Sequence, residues 1–256
     1  LDYSSQEPRL TVHYAHKTNQ PGAAEAVNNY NTDKNMDYHQ MVADLANISR
    51  KHAKTINLGL AYGMGQVKLC ASLDLPTEMV KNKRGKLVEI AGEEGLQIIK
   101  QYHEKVPFIR GLTSTCANLA QDRGYIRTIG GRLCRFDMWE PSNGEWQLPV
   151  ETRAAAMDKW GSQIRRAFTH KALNRLIQGS AADMTKLAMR DLWQEGIVPL
   201  HQMHDELDFS FETKAQADKC VEIMETCLPL TVPVVVDAEF GNTWATAQYS
   251  WEKSNA

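Results

Sequence analysis

The stretch Arg50-Lys51-His52-Ala53-Lys54-Thr55-Ile56-Asn57-Leu58-Gly59-Leu60-Ala61-Tyr62-Gly63 decides how the rest of the chain is read. Arg50, Lys54, Leu58 and Tyr62 stand four residues apart. On a helix that is slightly more than one turn, so the four side chains form one slowly drifting stripe. Two cations stacked at this spacing repel each other mildly. A helix bears that cost readily when a polyanion is its usual partner. Arginine offers a planar fork to phosphate oxygens, and lysine offers a compact point charge. An aromatic ring farther along the stripe suits stacking on a base or packing on a sugar. The same four residues also fit the solvated basic edge of an ordinary amphipathic helix, and the stripe alone does not separate the two.

Two acidic elements lie far from the stripe. At one end, Asp2-Tyr3-Ser4-Ser5-Gln6-Glu7-Pro8-Arg9 reads as a short strand and a helix entry. An acid there is ordinarily a solvated end or a cap. At the other end, Leu200-His201-Gln202-Met203 and Leu207-Asp208-Phe209-Ser210-Phe211 read as short strands around His204-Asp205-Glu206. Leu207, Phe209 and Phe211 alternate with Asp208 and Ser210, the period of a half-buried strand. Asp also favours plain solvated turns. Considered together, the elements say more. Antiparallel strands would set Asp2 beside Asp205, and two such carboxylates would hold two cations roughly 3.5–4 Å apart. Hard oxygen ligands suit Mg²⁺, which keeps waters and takes its remaining ligands from substrate phosphates. With the Arg50/Lys54 stripe gripping a triphosphate, this amounts to positioning plus charge stabilisation, which phosphoryl transfer mainly requires.

The 256 residues suffice for one large domain or two modest ones. A hydrophobic fraction of 43% and a charged fraction of 23% are globular values and exclude disorder. No apolar run approaches the roughly 18 residues of a membrane span, and the polar first residues do not fit a signal peptide. The formal net charge of -2 does not announce a nucleic-acid binder. A basic cleft on a neutral protein still works, because salt confines its field to about 8–10 Å. Cys70, Cys116, Cys134, Cys220 and Cys227 are odd in number and lack CxxC spacing, so reduced thiols in an intracellular protein are expected, without zinc.

Between these elements, the polar run Asn28–Asn35 reads as a loop. A helix is expected from Asp37, with Met41, Val42, Leu45 and Ile48 apolar, running on through the basic stripe to the glycines at 59, 63 and 65. Lys81–Lys86 reads as a basic loop and residues 93–122 as two helices split near Pro107. Gly124–Arg132 reads as a strand and turn, and Pro141–Gly144 as the tip of a surface hairpin. The longest helical region spans 152–193, with Gly161 and Gly179 as candidate interruptions. A helix over about 213–228 and a β-branched run from Val232 to Val236 close the pattern.

At these residues the chain resembles family-A DNA polymerases, the bacterial polymerase I and phage replicase group, from Asp2 to about Trp244. Asp2-Tyr3-Ser4 through Glu7 and Arg9 is similar to the family's motif A, Arg50 to Gly63 to motif B, and His204-Asp205-Glu206 to motif C. The resemblance implies an α+β fold, a palm with a small antiparallel sheet (1–33 and 169–256) and a mostly helical fingers subdomain (34–168). It implies template-directed addition of dNTPs to a primer on primer-template DNA, with two Mg²⁺ ions held by Asp2, Asp205 and the Tyr3 carbonyl. Lys54 is implied as catalytic. His39, Arg50 and Lys54 contact the triphosphate, Glu7 gates the sugar beside Tyr62, and Tyr62 guards the templating-base position. Asn174, Gln178 and His204 lie at the primer terminus or minor groove, and Glu206 lies near the metals without being a main ligand. Leu58 departs from the family's usual Phe or Tyr, at a position that packs on the incoming sugar. Ser5, Gln6 and Pro8 also depart, and Pro8 removes a backbone donor.

In the family the thumb, the first palm strands and, when present, the exonuclease precede motif A. An N-terminal segment or subunit supplying them is therefore expected as a partner, together with a cytoplasmic setting in a bacterium or phage-infected cell and no membrane. A single-subunit RNA polymerase, which shares the palm, and a catalytically silent DNA-binding fragment are the competing expectations. The acidic Glu7 argues against the first.

Overall fold

Asp2–Tyr3 (β1) turns straight into Gln6–Lys17 (α1) through Ser5, whose φ of 53° is left-handed. In this computed structural model, which describes residues 1–61, 63–82, 85–144 and 147–251, the chain continues through Ala23–Thr32 (α2), Tyr38–Ala46 (α3), Arg50–Ala61 (α4) and Gln66–Ser72 (α5). A hairpin of Thr77–Lys81 (β2) and Leu87–Ala91 (β3) leads to Glu93–Lys105 (α6) and Pro107–Arg123 (α7). Then come Tyr125–Arg127 (β4), Leu133–Arg135 (β5), Trp139–Pro141 (β6), Arg153–Trp160 (α8) and Ile164–Arg166 (β7). Ala172–Gln194 (α9), His201–Met203 (β8), Glu206–Asp208 (β9), Lys214–Thr226 (α10) and Val236–Asp237 (β10) complete the order. The class is α+β, as expected. None of the described helices is long and apolar enough to cross a membrane.

One antiparallel sheet, ordered β10-β1-β9-β8, gathers strands from both ends of the chain. Its register sets Asp2 opposite Glu206 on one side and Asp237 on the other. The strand expected over Leu207–Phe211 is shorter: β9 ends at Asp208, with Leu207 buried, while Phe209 and Phe211 lie beyond it, half-buried and stacked on each other at 5.1 Å. Beneath the sheet, Tyr3, Leu207 and Val236 pack on Met184 and Leu192 of α9 and on Cys220 and Met224 of α10. The first half of α9 instead buries Ala172, Leu173 and Ile177 in a larger core shared with α1 to α7. Each fully buried apolar side chain contributes about 1.5–3 kcal/mol. A single rigid helix therefore ties the sheet to the helical body.

Three further expectations need correction. The asparagine-rich run is not a loop up to Asn35, because α2 extends to Thr32. Tyr30 is fully buried and the Arg9 guanidinium lies 4.8 Å over its ring. Tertiary burial thus outweighs the modest helix propensity of Asn28, Asn29 and Asn31. The helix expected from Asp37 through Gly59 breaks into α3 and α4 at Asn47, which is left-handed at φ 52°. Of the two glycines, Gly161 ends α8 at φ 65°, whereas α9 runs unbroken through Gly179. The split near Pro107 stands, with Pro107 as the first residue of α7. Near Pro141 the chain makes a bridge between Trp139 and Val150, while β6 itself pairs with β7.

Candidate active site

Pairing of β1 with β9 is what brings the two predicted acids together. The Tyr3 N–H donates to the carbonyl of Asp205 at 3.4 Å, so one acid of the pair is bonded to the residue that follows the other. His204 and Asp205 form the turn between β8 and β9, with His204 left-handed at φ 55°, and the Gln202 amide donates to the His204 carbonyl at 2.8 Å. Tyr3 anchors β1 from below, its hydroxyl donating to the Met224 carbonyl at 2.9 Å. Asp2 stays open to solvent on one side. The atoms packed on its other side raise its pKa first, then the nearby Asp205 and Glu206 carboxylates, bringing it from 3.8 to about 6. Like charges held this close disfavour ionisation of one of them.

A cleft of about 290 Å³ opens beside this pair, lined by Gln6, Glu7, Gln178, Ala181, Ala182, His204 and Asp205. Burial and then the Asp205 charge push the Glu7 carboxyl up, with His204 opposing. Glu7 also lines a neighbouring recess with Pro8, His39, Asn57 and Leu58, so it stands between the acid pair and α4. Gln178 is exposed on α9, and Asn174 is half-buried one turn earlier. A larger cavity of about 720 Å³, lined in part by Leu200, Phe211, Trp244 and Trp251, does not include Asp2, Glu7 or Asp205. Of the predicted site residues, Glu7, Gln178, His204 and Asp205 line the smaller cleft, while Asp2 lies beside Asp205 in the sheet.

On α4, Arg50 and Lys54 are exposed and Leu58 is half-buried. Tyr62 lies outside the described residues. Arg50 is not a loose cation: its Nε donates to Asp37 Oδ2 at 2.6 Å. The other Asp37 oxygen caps α3 by accepting from the His39 and Gln40 backbone N–H groups at 2.9 and 3.0 Å. Burial works to raise the Asp37 carboxyl, but Arg50 and the two N–H groups hold it below its usual value. His39 is buried between α3 and α4, with its Nδ1 3.0 Å from the Asn57 amide nitrogen. Burial lowers the imidazole pKa, Asp37 opposes this, and Lys54 and Arg50 add to it.

Gln6, Asp37 and Asn57 are site neighbours that sequence reasoning passed over. Gln6 is buried and donates to Thr185 Oγ1 at 3.3 Å. Gln6 and Asn57 sit inside the two motifs, so adjacency was a usable signal. Asp37 carried its signal as a cap preceding an apolar helical run.

Among the described residues, no group of three or more His, Cys, Asp or Glu side chains is placed to hold a metal ion. A two-carboxylate site nevertheless fits Mg²⁺, which fills its shell with water and substrate oxygens. Burial raises the Asp2 carboxyl most, and the Asp205, Glu206 and Asp237 carboxylates raise it further, negative charge that a divalent cation would relieve.

The family model described as DNA polymerase family A matches residues 1–246. A DNA-directed DNA polymerase of Pseudomonas phage M6 is 40% identical over 95% of this chain and 37% of its own length. The thermostable DNA polymerase I of Thermus aquaticus is 27% identical over 97% of this chain and 27% of its own length. The chain thus spans roughly a third of these relatives. Among solved structures, the POL domain of Pol1 from M. smegmatis, in complex with DNA primer-template and dNTP, superposes with a TM-score of 0.70 at 26% identity. That likeness covers 96% of this chain and 39% of the other.

Proposed function

This chain belongs to DNA polymerase family A, and from that premise we propose that it carries the nucleotidyl-transfer site of a template-directed DNA polymerase. The observation that carries the proposal is the pairing of β1 with β9, which sets Asp2 next to Asp205, a lining residue of the cleft that Glu7 and Gln178 also line. Asp2 and Asp205, with the Tyr3 carbonyl, would hold two Mg²⁺ ions, whose chemistry when bound would be to lower the pKa of a primer 3′ hydroxyl and to offset charge on a leaving pyrophosphate. Arg50, Lys54 and His39 hold the triphosphate, and Lys54 stabilises the charge that develops during transfer. Glu7 leaves no room for a ribose 2′ hydroxyl, and the templating-base position is assigned to Tyr62. Leu58 packs on the sugar. Asn174, Gln178 and His204 face the primer end, where minor-groove acceptors common to all pairs report pairing shape rather than sequence.

In this scheme the palm comprises about 1–33 and 169–256 and the fingers about 34–168, split where β1 to α2 and α9 to β10 flank the helical middle. Closure of the fingers would carry α4 onto the nucleotide before chemistry. Upstream residues of the kind the longer relatives possess would supply the grip on duplex DNA, so their presence should strengthen primer-template binding.

The test is Mg²⁺-dependent primer extension with and without an upstream segment. Asp2→Ala and Asp205→Ala should each lower extension at least about a hundredfold, the scale of losing one preorganised electrostatic stabiliser. Extension that survives in both variants would refute the assignment.

A further inference from the structure

Tyr102 of α6, Asn57 of α4 and His39 of α3 meet in the interior, each from a different helix. Tyr102 is fully buried, and Asn57 and His39 are 5% and 9% exposed. Buried polar groups are costly unless paired, and these three pair with one another. The Tyr102 hydroxyl donates to Asn57 Oδ1 at 2.8 Å, and Asn57 Nδ2 lies 3.0 Å from His39 Nδ1.

The chain of bonds has a direction. A phenol donating to Oδ1 leaves the N–H end of the amide toward the imidazole, so Nδ1 must accept. In a neutral ring the proton then sits on Nε2. His39 and Asn57 also line the recess that adjoins the acid cleft through Glu7. Arg50 and Lys54 already bring two positive charges to this side of α4.

We propose that Tyr102 and Asn57 are positioning residues for nucleotide binding: they lock His39 in its Nε2–H form, so that a neutral imidazole donates one oriented hydrogen bond to a triphosphate oxygen. This rests on the assignment of His39 to the triphosphate. The lock explains why a tyrosine that lines neither the recess nor the cleft, on a helix that contributes no predicted site residue, is wired to the site. It also supplies a donor whose direction is set before the nucleotide arrives, which lowers the ordering cost of binding.

Histidine-selective ¹⁵N NMR of the 256-residue chain reads the tautomer directly, with His39→Gln identifying the resonance. Wild type should show a protonated Nε2 and a bare Nδ1. Asn57→Asp places an acceptor opposite Nδ1 and should move the proton there. Tyr102→Phe adds no charge, guards against a misfolded aspartate variant, and should yield mixed tautomers. The dissociation constant for dNTP with Mg²⁺ should rise about threefold to tenfold in both, the scale of one mispositioned hydrogen bond. A wild-type proton on Nδ1, or a tautomer indifferent to both substitutions, would overturn the lock. A tautomer that moves while nucleotide affinity stays constant would overturn its role in binding, provided His39→Gln weakens affinity. Unchanged affinity in His39→Gln would instead sink the triphosphate assignment beneath it.

Discussion

Asp2 is the residue whose titration reports on the site. Packing around it and the carboxylates of Asp205 and Glu206 raise its pKa from 3.8 to about 6. Between those values the folded chain binds more protons at Asp2 than the unfolded chain does. Stability from this group is therefore fully present below the unfolded pKa and is lost as pH rises through about 6. Asp2→Asn should flatten the fall in Tm between pH 4 and pH 6 and raise Tm at pH 7 relative to wild type. Added Mg²⁺ should raise the wild-type Tm at pH 7 and raise that of the variant less. Parallel Tm-against-pH curves for the two proteins would show that neither burial nor the acidic neighbours raise the Asp2 carboxyl.

Helix α9 ties the sheet to the helical body, and at Gly179 a neighbouring turn packs closely against it. The β4–β5 turn is bonded onto it: the Ile129 N–H donates to Ser180 Oγ at 3.1 Å and the Gly130 N–H to Asp183 Oδ2 at 2.9 Å. Arg132 pairs with Asp183 and donates to the Gly179 carbonyl at 2.7 Å. A Cβ on Gly179 would come within 2.6 Å of the Thr128 methyl carbon. Gly179→Ala should therefore cost about 1–3 kcal/mol by overpacking. Thr128→Ser removes the methyl but keeps the hydroxyl that accepts from the Arg132 N–H at 3.1 Å. Added to Gly179→Ala, it should recover most of the loss, a coupling that urea denaturation of the double-mutant cycle measures. A neutral Gly179→Ala would mean the turn and helix are not in close contact.

At the scale of the molecule, Arg9 fastens distant parts of the chain. Its guanidinium donates to the carbonyls of Ser4 at 2.8 Å, Pro233 at 2.7 Å and Lys34 at 2.7 Å. The β1–α1 turn, the segment after α2 and the approach to β10 are thus held by one buried side chain. Arg9→Met leaves those acceptors without a donor and should cost about 3 kcal/mol or more, at roughly 1–3 kcal/mol for each unsatisfied group. Arg9→Lys, with one compact head in place of the fork, should recover only part of it. Equal unfolding midpoints for wild type and Arg9→Met would remove Arg9 from this role.

Local periods and residue chemistry lie in the chain itself, so the basic stripe, the half-buried strand at Leu207, the helix start at Pro107 and the three ordered motifs were legible without coordinates. Those features sufficed for the α+β class and for the family. What packing decided was everything that depends on a partner remote in sequence: the Asp2–Glu206 register, the helix that Tyr30 draws out of an asparagine run, the Asp37–Arg50 pair across a break, and the tyrosine behind Asn57. Burial and cross-chain hydrogen bonds are properties of a surface that exists only once distant segments meet, and no window along the sequence contains both sides of it.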